Sequence, residues 1–452
     1  MVINKIVDFI LNSRYEKLSG NTITTIKRAF IDTIAVTVAA ENQSLSLILR
    51  QVHKELSFEA TDTTFATAIK SDPIEYAFLF GVMSHILDYD DVNFTFYGHP
   101  SVTLIPIILA LAKENNLTGK EMMEAYSVGF EVQARLGESM GSEQYQTGWH
   151  TTSTIGIYGA VAAASKLLRF NGKQIKHVFG IASSFASGTR KNFGTMTKPI
   201  HVGLVARNAY LISKMVASGV TGSEDIFSSP LSIDSITTNK MVDFSALKKL
   251  GKEWEAEQNG IIFKKYPCCA FTHRSIDAVL DIVNKNEIKL TDVVKMEAFV
   301  HYKVPTVLIY DQPKTPTQAQ FSMNYCLAAA FVDKEINLST FSEQNVKRDS
   351  VKFLMNKVEM KIDSSQKDPY EKFSKVIIYT ENEAYEKIIQ FPKGHPKNPL
   401  SEDEMLIKFS DCLDVLYDSE TKGLLYDCLS NLEDRDYGEL ERVLLKGGSP
   451  HD

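Results

Sequence analysis

No aspartate or glutamate occurs between Gln144 and Ser223. The chain holds 56 acids in 452 residues, so an even spread would put about ten into that window. The same window keeps nine bases: Lys166, Arg169, Lys173, Lys176, Arg190, Lys191, Lys198, Arg207 and Lys214. The whole chain has a formal net charge of −7. Clearing acids from one segment of an acidic chain focuses a positive potential there. Such a potential suits a pocket for a small anion. The plainer alternative is that these bases lie on solvated helix faces and pair with acids elsewhere.

Other shortages exclude other classes. There are five cysteines, Cys268, Cys269, Cys326, Cys412 and Cys428, with no CxxC pair. That rules against a disulfide framework, a structural zinc or a conventional iron–sulfur cluster, and suits a reduced, cytoplasmic protein. No run of about 18 uninterrupted apolar residues exists, so no membrane span is expected. The first residues, MVINKIVDFILNSRYEKL, carry Asp8 and no small-residue cleavage site. They read as an amphipathic helix, not a signal peptide. A net charge of −7 speaks against a general nucleic-acid binder. No short-period repeat or low-complexity segment is present. The final GGSPHD is expected to be a disordered tail.

What remains is an ordinary globular composition, 44% hydrophobic and 23% charged, on a chain long enough for more than one domain. Residues 1–261 read as successive helices, at 22–40, 74–88, 101–115, 119–138, 153–168, 173–187 and 200–219. Their apolar residues recur every three or four positions. The period changes near residue 260. Val294, Met296, Ala298, Val300 and Tyr302 alternate as in a half-buried strand, as do Val358, Met360 and Ile362. Val376, Ile378 and Thr380 lead through ENEA into Tyr385, Lys387, Ile389 and Phe391, a hairpin pattern. Helical stretches at 272–285 and 317–334 are interleaved. FPKGHPKNP (391–399) is rich in breakers, and Ser401 with Glu404 starts a new helix through a capping box. The expectation is a mainly α protein. A large all-helical domain (1–261 and 395–452) receives an inserted, smaller α+β lid domain (262–394).

Four stretches carry candidate chemistry. HILDYDDVNFTFYGHP (85–100) offers Asp88, Asp90, Asp91 and His99, with His85 one helical turn before Asp88. Carboxylates with imidazoles suit a divalent metal, while Asp88 or Asp91 can equally cap a helix. Asp90-Asp91 is similar to the acidic motif of terpene synthases, but Phe94 stands where that motif needs a further acid. TGWHTTSTIG (147–156) sets His150 before a hydroxyl-rich helix start, a place for an anion and for a general acid or base. RKNFGTMTKPIH (190–201) brings Lys198 and His201, placed to contact a carboxylate. FKKYPCCAFTHRS (263–275) brings two lysines, His273 and vicinal cysteines that read as buried filler.

Together these stretches resemble the MmgE/PrpD family, nearly end to end and in the family's order. The family contains 2-methylcitrate dehydratases, cis-aconitate decarboxylases and iminodisuccinate epimerases. The resemblance implies a helical domain with an inserted lid, a homodimer, and no metal or other cofactor. LDYDD…GHP resembles the family's LDFDD…HP, which implies Asp88 and His99 as active-site positions. TGWHTT implies His150. TKPIHVG implies Lys198 and His201. KKYPCCAFTH implies Lys264 and His273, and QFSMNY (320–325) implies Tyr325, reaching in from the lid. Many members have Thr after the acidic pair, where this chain has Val92. The pair Asp90-Asp91 and the TKPIH motif are more similar to the decarboxylase and epimerase branches.

The implied reaction is proton transfer next to a carboxylate of a small polycarboxylate. His150 would act as general acid or base, and Lys198, Lys264 and His99 would bind carboxylates. Asp88 would hold His99 or a lysine, or contact the substrate directly, and Tyr325 would donate from the lid. A lyase of the decarboxylase type is expected, with an epimerase or isomerase of a related diacid, or a dehydratase, as alternatives. No nucleic-acid or membrane partner is expected.

Overall fold

The computed structural model describes residues 2–56, 63–227, 229–366 and 373–446. The GGSPHD segment lies outside the described residues. Helices dominate on both sides of one small sheet, so the expected mainly α architecture is what forms. Among the described residues no helix is long and apolar enough to cross a membrane. All five cysteines are free thiols and buried.

Side chains set the helix starts. Ser19, Asp72 and Thr118 cap helices Gly20–Ala39, Pro73–His85 and Gly119–Met140 by accepting from first-turn amides. Ser401 and Glu404 form the expected capping box at Glu402–Leu413. Helix Ser101–Asn115 is buried along nearly its whole length, which explains why its sequence is apolar all round. Helices Pro73–His85 and Thr197–Ala217 cross where Gly81 meets Gly203. A Cβ on Gly81 would lie 3.0 Å from Gly203 Cα, and one on Gly203 would meet the Phe78 carbonyl at 2.7 Å. This close crossing brings the His85 end of one helix against the Lys198 end of the other.

The sheet has the order β2-β1-β3-β4, from strands β1 (Val293–Val300), β2 (Val358–Ile362), β3 (Ser374–Thr380) and β4 (Ala384–Ile389). β1 pairs parallel with β2, and the β3–β4 hairpin is antiparallel. Helices Ala270–Lys285 and Met323–Asp333 pack on this sheet. Alternation along β1 departs from expectation at its start. A register shift between Val293 and Lys295 turns Val293 inward and leaves Val294 52% exposed. Tyr302 falls beyond the strand and is exposed, as is Ile362 at the end of β2.

Two hydrophobic cores result. One runs from Ile3 to Leu444 and takes in helices from both ends of the chain. The other lies under the sheet. Helix Glu402–Leu413 packs on Gly20–Ala39, joined by a buried ion pair of 2.6 Å between Lys408 and Asp32. The expected helix 317–334 is two helices, Pro316–Ala319 and Met323–Asp333. Ser322 caps the second by accepting from the Tyr325 amide. The break falls at Gln320 and Phe321, beside the cavity described next.

Candidate active site

Helix Pro73–His85 ends at a loop that turns sharply. Asp88 has φ 48° and Tyr97 φ 53°, both left-handed and unusual for residues with a Cβ. Asp88 is 3% exposed and receives two ammonium groups. Lys198 Nζ lies 2.5 Å from Oδ1, and Lys264 Nζ lies 3.0 Å from Oδ2. Burial works against the charge of Asp88, and the two lysines outweigh it, holding the carboxyl well below the usual range. Lys264 is also buried against its charge, yet Asp88 and Asp90 raise it above an ordinary lysine.

Asp90 organises two imidazoles. Its Oδ2 lies 2.9 Å from His85 Nδ1 and 2.8 Å from His99 Nδ1. Lys198 donates to His85 Nε2 at 2.7 Å. That makes Nε2 an acceptor and fixes the His85 proton on Nδ1, toward Asp90. Burial, only partly opposed by Asp90, pushes His85 down to about 3 and lowers His99 as well. Asp90 itself stays well below the usual carboxylate range, because the two imidazoles outweigh its burial.

His150 sits at the start of the short helix Thr151–Thr154. Its Nδ1 lies 3.1 Å from His201 Nδ1, so one ring donates to the other. Its Nε2 is buried, with no hydrogen-bond partner among the described residues. Burial, reinforced by Lys198, keeps this imidazole neutral, far below its ordinary pKa. His150, Asp88, His99, Lys198 and Lys264 line one cavity of about 50 Å³, with Val92, Phe193, Val307 and Phe321 among its walls. That volume holds a few waters.

The family model of the MmgE/PrpD N-terminal domain matches residues 4–240, and that of the C-terminal domain matches residues 266–431. This chain belongs to the MmgE/PrpD family. It is similar to a cis-aconitate decarboxylase of Homo sapiens, 26% identical over 455 residues that cover 96% of this chain and 92% of that protein. A cis-aconitate decarboxylase of Mus musculus is 26% identical, over 96% of this chain and 91% of that one. One of Aspergillus terreus is 23% identical, over 75% and 74%.

Of the positions that family membership suggested, the structure gathers Asp88, His99, His150, Lys198 and Lys264 around the cavity. His201 stands behind His150. Two are not brought there. The Tyr325 hydroxyl donates to the Thr340 carbonyl at 2.5 Å, and its ring packs on Phe341 inside the second core. His273 donates from Nε2 to the Cys268 carbonyl at 3.2 Å and packs edge-on against Tyr266. Cys269 does line the cavity, but burial and the nearby Asp88 push its thiol up to about 12. A thiol held protonated in this way is a weak nucleophile.

The acid-free window gives the cavity one charge, not many. Lys166, Arg169, Lys176 and Lys214 pair with Glu124, Glu121, Glu224 and Glu114. Arg190 stacks 3.8 Å over the Tyr145 ring and donates to the carbonyls of Tyr145 and Thr306. Only Lys198 of that window lines the cavity, and the second ammonium there, Lys264, comes from another segment. Four of the nine bases thus pair with acids, as the plainer alternative expects.

Asp91 is a structural acid. It accepts from the Ser101 amide at 3.2 Å and from the Ser101 hydroxyl, at the start of helix Ser101–Asn115, and burial pushes its carboxyl well up. One ligand atom each of His85, Asp88, Asp90 and His99 falls within 4.8 Å of the others, as in a metal-binding set. Those atoms are engaged already. Two ammonium groups hold both Asp88 oxygens, one of them also holds His85 Nε2, and Asp90 faces two imidazoles. A divalent cation would stand beside two positive charges, so this donor set does not suit one.

Proposed function

We propose that this family member is a lyase that decarboxylates a small, cis-aconitate-like polycarboxylate. One observation carries the reading: two buried ammonium groups and an imidazole whose Nε2 has no hydrogen-bond partner among the described residues face the same cavity. In such a reaction a C–CO₂ bond breaks and CO₂ leaves. The electron pair remains on carbon, spread into a neighbouring carboxylate, until a proton is added there. Lys198, Lys264 and His99 would hold the carboxylates and offset the developing charge. Burial makes this worth more than it would be in water.

His150 would move the proton. Alone it is neutral. A substrate carboxylate beside it would raise its proton affinity and load Nε2 for delivery to carbon. The names of the relatives, cis-aconitate decarboxylases at 23–26% identity, support the substrate class. Val92 faces the cavity with two methyl groups where many members have a hydroxyl, so the preferred acid would differ in its polar contacts.

The test is an NMR assay of EDTA-treated protein in D₂O with cis-aconitate, 2-methylcitrate, citrate and iminodisuccinate. Loss of CO₂ from one acid is expected, with His150→Gln about 10²- to 10⁴-fold slower and normally folded. Loss of water alone would make it a dehydratase. Deuterium uptake without net product would make it an epimerase.

A further inference from the structure

Three successive backbone carbonyls at the active-site turn are each held by a side chain from a different part of the chain. Gln320 Nε2 donates to the Leu87 carbonyl at 2.8 Å. Lys264 Nζ donates to the Asp88 carbonyl at 2.5 Å. Lys408 Nζ donates to the Tyr89 carbonyl at 2.9 Å. Gln320 comes from the break before helix Met323–Asp333, Lys264 from the entry to the α+β part, and Lys408 from helix Glu402–Leu413 after it. Gln320 and Lys408 are 4% and 6% exposed. Neither lines the cavity.

We propose that Gln320 and Lys408 are positioning residues of this site, clamping the turn that presents the Asp88 carboxylate to Lys198 and Lys264. The proposal rests on the reading of this cavity as the active site. The backbone argues for it first. Asp88 stands at φ 48°, the left-handed region, which costs most residues with a Cβ energy although Asp adopts it more readily than most, so the turn gains from outside support. The donors argue for it second. Lys408 spends its remaining N–H groups on the Lys264 carbonyl at 2.8 Å and on Asp32 at 2.6 Å. One ammonium therefore ties the backbone of Tyr89 to that of Lys264, fixing the acid and its lysine relative to each other. Gln320 is anchored in turn, its own carbonyl accepting from the Cys269 amide at 3.0 Å. Its neighbour Phe321 lines the cavity. Seating of the α+β part and the orientation of Asp88 are thus joined through one amide group.

The test compares Gln320→Leu, Lys408→Met and Lys408→Arg with the wild type, by crystal structure and by kcat and KM on the acid that the wild type turns over. Expected is a kcat about 100-fold lower in Gln320→Leu and Lys408→Met, with KM changed much less, because misplacing a reacting group by an ångström costs about that much. Melting should stay sharp, Lys408→Arg should recover part of the rate, and Asp88 should leave the left-handed region. A folded Gln320→Leu with kcat within twofold of wild type would overturn the proposal. Should Lys408→Met fail to fold, Gln320→Leu decides. Should the wild type turn over no acid, the functional reading fails, and the clamp is judged by Asp88 in the variant crystals: a shifted turn supports it, an unchanged one overturns it.

Discussion

Asp88 is one negative charge shared by two lysines, and all three side chains are out of water. Removing it leaves two ammonium groups buried side by side. Asp88→Asn should therefore cost about 3–5 kcal/mol of stability, measured by urea unfolding. Adding Lys198→Met should give part of it back, because one of the unpaired charges is then gone. An additive double mutant would contradict this. The imidazoles set the acid side of the stability curve. His85 is held at about 3 and His99 and His150 are lowered, against about 6.5 in an unfolded chain. The folded state thus binds fewer protons. This stability is complete above about pH 6.5 and is lost as the pH falls toward 3, by up to ~1.4 kcal/mol per pH unit for each imidazole. His85→Asn should flatten that acid slope in thermal melts, and an unchanged slope would mean that His85 is not held neutral. The same residues show what a sequence reveals and what it hides. Lys198, Lys264, His99 and His150 stand in short motifs with glycine, proline or hydroxyl neighbours, so they were legible. His85 was legible only as a possible metal ligand one helical turn before Asp88. Its role exists only because a distant helix delivers Lys198. Tyr325 misled because its motif does not record that Ser322 starts the helix and turns the ring into the core.

At the scale of elements, periodicity located the helices and the hairpin, since burial on one face leaves a repeating mark. It did not locate what depends on pairing. The irregularity at Val293 exists only against β3, and the break at Gln320–Phe321 comes where one helix ends and Ser322 caps the next. The segment between β1 and that break is tied to the helices by Arg190, which donates to the Thr306 carbonyl at 3.1 Å, and by Tyr310, which donates to the Phe193 carbonyl. Arg190→Ala should speed hydrogen exchange in residues 301–321 and leave helix Thr197–Ala217 protected. Equal exchange in both proteins would show that Arg190 does not hold this segment.

For the whole molecule, the change of period near residue 260 and the return of helical patterning after 399 revealed an interruption. Helix Glu402–Leu413 packs on helix Gly20–Ala39. The bond that seals this return was not legible, because Lys408 and Asp32 sit in unremarkable amphipathic patterns at opposite ends of the chain. Deleting residues 395–452 would strip Asp32 of its ion pair and the Tyr89 and Lys264 carbonyls of their donor. The truncated protein should show no cooperative melting transition in calorimetry. A sharp transition would mean that the remainder folds without them.

That closure has a consequence for biosynthesis. Lys408 is made 376 residues after Asp32 (408 − 32). At about 5–20 residues per second, the growing chain carries an unpartnered acid in its nascent core for tens of seconds. The active-site turn lacks one of its three supports for just as long. Helices form early, but the turn at Asp88 and Tyr89 is complete only once Lys408 has been made and has reached it. During that interval the chain is exposed to chaperones and proteases, and its yield in a cell depends on how quickly its two ends meet.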